Sequence, residues 1–127
     1  MTPSVPVSWG ELIDKLTILE IKRERLSSEA ARANVAHEYA ALSKIAAAVD
    51  SNAKVAELRA ALKAVNERLW QIEDDIREKE AAKAFDARFV DLARAVYHNN
   101  DERGRLKRAI NDALGSEIVE EKQYKNY

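Results

Sequence analysis

Three groups of charged or polar residues lie where a helix would place apolar ones, and any chemistry in this chain has to start there. At 100° per residue, Glu20 and Arg23 fall in the arc of Leu12, Ile13, Leu16 and Leu19. Glu73 and Glu80, with Arg77 at the edge, lie beside Leu69, Ile72 and Ile76. The stretch YHNNDER (97–103) puts Asn99 and Arg103 in line with flanking apolar positions and brings Asn100 and Asp101 with them. Arginine's planar fork suits carboxylate and phosphate. Glutamates beside it can hold the fork in place or act as acid and base. The candidate ligand-binding residues are therefore Glu20, Arg23, Glu73, Arg77, Glu80, Asn100, Asp101 and Arg103, around a small anionic ligand in an inter-helix cleft. The competing reading is structural: buried Arg–Glu layers commonly fix register in helical bundles. Arginines sharing a pocket favour the first; arginines closed onto carboxylates favour the second.

Other site types find little material. The chain has no cysteine and two histidines, His37 and His98. Thiolate metal sites and disulfides are excluded. Neither histidine has a glutamate three residues before it, so the Glu-x-x-His pattern of carboxylate metal sites in bundles is missing. Both histidines read as surface or cap residues, and Trp9 and Trp70 as core anchors. No glycine-rich phosphate loop and no G-x-S-x-G elbow occurs. No cofactor or metal is expected. Arg103, Arg105, Lys107 and Arg108 form a short basic cluster, read as a solvated face, or more sharply as a phosphate contact. Asp74, Asp75 and Glu78 read as a solvated acidic patch. With 21 basic and 22 acidic residues spread evenly along the chain, a nucleic-acid partner is not expected. MTPSVPVSWGEL lacks the basic start and apolar run of a signal peptide, and no segment has the apolar length of a membrane span. A cytoplasmic protein with no membrane partner is expected.

The elements that must position these residues are helices. Alanine, leucine, glutamate, lysine and arginine dominate, and both prolines precede Val7. Ser8-Trp9-Gly10-Glu11 fits a capping box, with Ser8 capping and Glu11 reaching back. Apolar residues follow at Trp9, Leu12, Leu16, Leu19 and Leu26. Ile18 and Ile21 lie on the other side, which calls for cover by a third segment or by a second copy of the chain. A break is expected near 27–34, and Asp50-Ser51-Asn52 reads as a stop. Val55, Leu58, Leu62, Val65, Leu69, Ile72 and Ile76 then repeat at steps of three and four, predicting a helix over 52–83, roughly 48 Å long. Asp86 can cap the next helix, with Phe85 and Val90 as a staple. Its stripe runs Phe89, Leu92, Val96, Asn99, Arg103, Leu106, Ile110, Ala113, in register through YHNNDER. This favours one continuous helix with a polar layer over a fresh helix capped by Asn99. Gly115-Ser116 ends it.

A hairpin turning near residue 50 would set Arg23 close to Glu80, provided the intervening segment stays helical. A turn near Phe85 would set Arg103 near Glu67 and Asn99 near Trp70 and Gln71.

SWGELIDKLTILEIKRERL, IEDDIREKE and FDARFVDLARAVYHNNDERGRLKRAIN together resemble a bacterial family of short helical proteins, a domain of unknown function. The likeness runs from Val7 to about Tyr124. It implies an all-helical fold and a bacterial origin, and it carries no activity or site residues. VAELRAALKAVNERLWQIEDDIREKE also resembles the long helix of the all-helical chorismate mutases, enzymes that hold a dicarboxylate between helices with arginine, lysine and glutamate. That family's spacing of arginine, lysine and later glutamine is not matched, and no residue is carried over.

The resulting expectation is an all-α single domain over 1–127, with an irregular 1–7 and a polar tail at 116–127. Its architecture would be an elongated antiparallel helical hairpin or a three-to-four-helix bundle with coiled-coil-like packing. Its function would be that of a binding or scaffolding module working through helix–helix association, as a homodimer or with another protein partner. The alternative is a small helical enzyme, or a binder of an anionic metabolite.

Overall fold

The computed structural model describes residues 1–127 as four α-helices and no strand. They are α1 (Trp9–Arg25), α2 (Glu29–Ala46), α3 (Ala53–Ala81) and α4 (Ala87–Leu114), with a 3₁₀ turn at Ala47–Val49. Each boundary has a local cause. Ser8, Ser28, Asn52 and Asp86 each accept a backbone N–H three residues on. Gly115, at φ 59°, takes the left-handed conformation that closes α4. Lys83, at φ 53°, does the same after α3, where Ala84 N–H donates back to the Lys79 carbonyl.

The expected break falls at residues 26–28, between α1 and α2. It turns the chain, so α1 and α2 are separate packed helices rather than one long arm. The register that would bring Arg23 to Glu80 required a continuous arm and is not formed. α1 is the central helix and contacts α2, α3 and α4, while α3 and α4 pair along their length. The core gathers Leu12, Ile13 and Leu16 of α1 with Ala46, Leu58, Leu62 and Ile110, flanked by Trp9, Tyr39, Leu42 and Leu106. Ile21 is 1% exposed within this single chain, so its second apolar side is covered by the protein's own helices. Of the two covers expected, Ile21 has the chain's own helices and offers no surface to a second copy, while Ile18 is half-buried.

α4 is unbroken from residue 87 to 114, which settles the reading of YHNNDER in favour of continuity. Asn99 caps nothing. Its Nδ2 donates to the Ala95 carbonyl one turn back, and its Oδ1 accepts from Arg68 of α3 at 3.2 Å. It is a polar layer of the α3–α4 hairpin, one turn off the expected level of Trp70 and Gln71. Phe85 packs edge-on to Phe89, and both Phe85 and Val90 stay largely exposed.

At 1.5 Å per residue, the 17 residues of α1 span about 26 Å and the 29 of α3 about 43 Å. α1 therefore covers only part of the hairpin. The last residues, 115–127, form no helix but lie back along α4 through side-chain bonds to Asp101, Lys107 and Arg108.

Candidate functional site

The polar residues of the apolar faces form two internal centres on α1 and one cleft on α4. The deepest centre is built on Asp14, which is 1% exposed. Arg103 donates to it from Nε at 2.9 Å and Nη2 at 2.6 Å, a fork onto both carboxylate oxygens. Asn66 of α3 donates from Nδ2 to Asp14 Oδ1 at 2.9 Å and to Thr17 Oγ1 at 2.8 Å. The Thr17 hydroxyl donates to the Asp14 carbonyl at 2.7 Å. Three helices are thus tied at one point, and the buried carboxylate is saturated with donors. The bond to Asp14 outweighs the effect of burial and raises the pKa of Arg103 further. Arg103, expected near Glu67, turns its guanidinium to Asp14 of α1 instead.

A few residues along, Gly10 presses α1 onto α4. Its N–H donates to Asn111 Oδ1 at 2.7 Å, and a Cβ here would run into the carbonyl oxygen of Lys107. That close approach is why the capping box carries glycine at this position. The box itself is half made: Ser8 caps, but Glu11 reaches to Lys107 Nζ at 2.7 Å instead of back to the chain. Lys107, only 8% exposed, receives a second carboxylate, Glu120, at 2.9 Å. Burial works against its charge, yet the two carboxylates prevail and its pKa is raised. Lys107 in turn lowers the pKa of Glu120.

The second centre surrounds Glu20. Its carboxylate accepts from Arg59 Nη2 at 2.6 Å and from the Tyr39 hydroxyl at 3.2 Å, with Lys63 3.7 Å away. Arg23 stacks over the Tyr39 ring, 4.2 Å from its centroid. Glu20 and Arg23 are therefore brought together, through Tyr39 and not through a salt bridge. A hollow of about 410 Å³ opens beside Glu20, Arg59 and Lys63.

The remaining candidates separate. Arg77 pairs with Glu73 of its own helix at 3.2 Å, and Glu80 with Lys83 at 3.7 Å, all exposed on the outer hairpin. Asn100 is half-buried on α4. Asp101 accepts the Tyr127 hydroxyl, and Tyr127 also packs against Tyr97 and His98. The hydrogen bond to Asp101 raises the pKa of that phenol. Asp101 marks one end of a cleft of about 690 Å³ between α4 and the C-terminal segment.

Sequence reasoning missed Asp14, Thr17, Asn66, Arg59, Lys63 and Asn111, and placed Lys107 only in a basic cluster, not in a buried carboxylate pair. A signal existed for most. Asp14 precedes Thr17, Ile18 and Ile21 by three, four and seven residues, so it shares their buried face. Asn66 stands four after Leu62 and three before Leu69. Lys107 stands four after Arg103 and three before Ile110.

No cluster of histidine, aspartate and glutamate side chains with metal-holding geometry is present, and no helix is long and apolar enough to cross a membrane. No curated protein and no solved structure matches the chain. A family of unknown function (DUF6165) matches residues 3–127. The all-helical fold and the near-complete match agree with the resemblance read from the three sequence segments: the chain belongs to this family of unknown function.

Proposed function

We propose that the protein is a helical binding module that associates through the outer part of its α3–α4 hairpin, with a second copy of the chain as the partner. Support comes from the change of burial along the hairpin. Between residues 67 and 106, Leu92 alone is buried. The apolar stripe nevertheless continues there through Leu69, Ile72, Ile76, Phe89 and Val96, all half-buried, and Phe85, Val90 and Tyr97 are exposed. Two isolated helices cannot close a stripe of this width, because each covers only one side of the other. Two hairpins laid together make a four-helix bundle and close both stripes at once.

The arginines favour this reading over an enzyme built on the sequence candidates. Arg103 is closed onto Asp14, Arg77 onto Glu73, and Arg23 onto Tyr39. None of them lines either large cleft.

Trp70 stands half-buried on the outer hairpin. Association through this surface moves its emission to the blue as protein concentration rises, and Ile72→Glu abolishes the shift. Emission that stays constant over the full concentration range would oppose the proposal.

A further inference from the structure

We propose that the cleft between α4 and the C-terminal segment binds a small multivalent oxyanion, a phosphate- or carboxylate-bearing molecule. This goes beyond the hairpin reading and does not depend on it.

The charges in the cleft are unevenly satisfied. Its lining includes five cations, Arg105, Lys107, Arg108, Lys122 and Lys125, and four carboxylates, Asp101, Asp112, Glu120 and Glu121. Each carboxylate is engaged by the chain. Asp101 takes the Tyr127 hydroxyl, Glu120 takes Lys107, Glu121 takes Arg108 at 3.4 Å, and Asp112 lies 3.9 Å from Arg108. Lys122 and Lys125 line the cleft and form no ion pair with a carboxylate. Lys122 contributes to the field that lowers the pKa of Glu120, though the direct bond from Lys107 dominates.

A second feature points to a ligand. Asn111 is 3% exposed and lines the cleft. Its Oδ1 is fixed by the Gly10 N–H, which sets the orientation of the amide. Its Nδ2 donates to no group of the chain and is not sealed from solvent, since Ser43 Oγ is the one fully enclosed side-chain polar atom without a partner. An oriented donor with no partner in the chain, on a largely buried residue that lines a cationic cleft, suits an oxyanion.

Gly104 makes room at the other end. The Lys122 ammonium lies 3.3 Å from the position a Cβ would occupy there, so the lysine head rests directly on the helix backbone. The same cleft disfavours a long polyanion. Glu120, Glu121 and Asp112 stand along its walls, and the chain's net charge of −1 supplies no wider basic field. A compact ligand that reaches Lys122, Lys125 and Asn111 avoids them.

The test is calorimetric titration of the full chain with pyrophosphate and, separately, with citrate, each against sodium chloride at matched ionic strength. Saturable binding of one or both is expected, and the stronger of the two tells a phosphate from a carboxylate ligand. Lys122→Gln with Lys125→Gln weakens binding at least about tenfold, the loss of charge-assisted contacts. Arg77→Gln, on the outer hairpin, leaves it unchanged. The double variant changes surface residues only, and an unaltered circular dichroism spectrum verifies its fold. Absence of saturable binding for both anions, or equal binding by the double variant, overturns the proposal.

Discussion

Arg103 and Asp14, 89 positions apart, form a bidentate pair in which the carboxylate is 1% exposed and the guanidinium side chain 29%. Such a pair is a device for specifying how three helices meet. Its net contribution relative to apolar residues is small, but either partner alone is expensive to leave behind.

Arg103→Ala should lower stability by about 3 kcal/mol, the loss typical of a stranded buried charge. Asp14→Leu combined with Arg103→Leu should lose much less than the sum of the two single changes. A double-mutant cycle in urea measures this coupling. Additive losses would mean that the pair is not an interacting unit.

The two helical glycines should respond with opposite signs. Gly10→Ala drives a methyl into the Lys107 backbone carbonyl, which cannot move without separating α1 from α4. A loss of roughly 1–3 kcal/mol is expected from such overpacking. At Gly104 the obstacle is the flexible end of Lys122, so Gly104→Ala should raise stability by about 0.5–1 kcal/mol through helix propensity. Thermal melts of the two variants test both signs, and the second variant also displaces Lys122 from its place on the helix.

The C-terminal segment should detach at low pH before the helices melt. Glu120 has a lowered folded pKa, held down chiefly by Lys107. Its contribution is present above the ordinary carboxylate value of about 4.3 and fades as pH falls through the folded value. Lys107 has the opposite sign: its pKa is raised, so its contribution holds below about 10.4 and is lost only as pH climbs past the folded value. The anchor is therefore complete across neutral pH and fails first on the acid side. Amide exchange of residues 117–127, corrected for intrinsic rates, should accelerate below about pH 4.3 while helical circular dichroism persists. Simultaneous loss of both signals would contradict it.

Helix positions were legible because periodicity and caps are local. Asn52, Asp86 and Gly115 stand where the stripes change, and each makes the bond its type predicts. What could not be read was which helix each polar residue faces. Arg103 lies on the α4 seam as expected, yet whether its fork turns to Glu67 or to Asp14 depends on where α1 sits. That in turn depends on the break at residues 26–28, whose angle no pattern encodes. Glu20 and Arg23 share one face of α1, but Glu80 lies elsewhere on the hairpin, and their partners Arg59 and Tyr39 come from two other helices. The C-terminal segment was the least legible. It has no periodicity, and it is positioned by charged and aromatic side chains meeting α4.

Solution mass tests the hairpin proposal most directly. The chain weighs 14.3 kDa, so an associated pair is twice that. Light scattering should give the dimer mass for the wild type, and the monomer mass for Ile72→Glu and Phe89→Glu with unchanged helical content. A wild type at the monomer mass at high micromolar concentration would contradict the account.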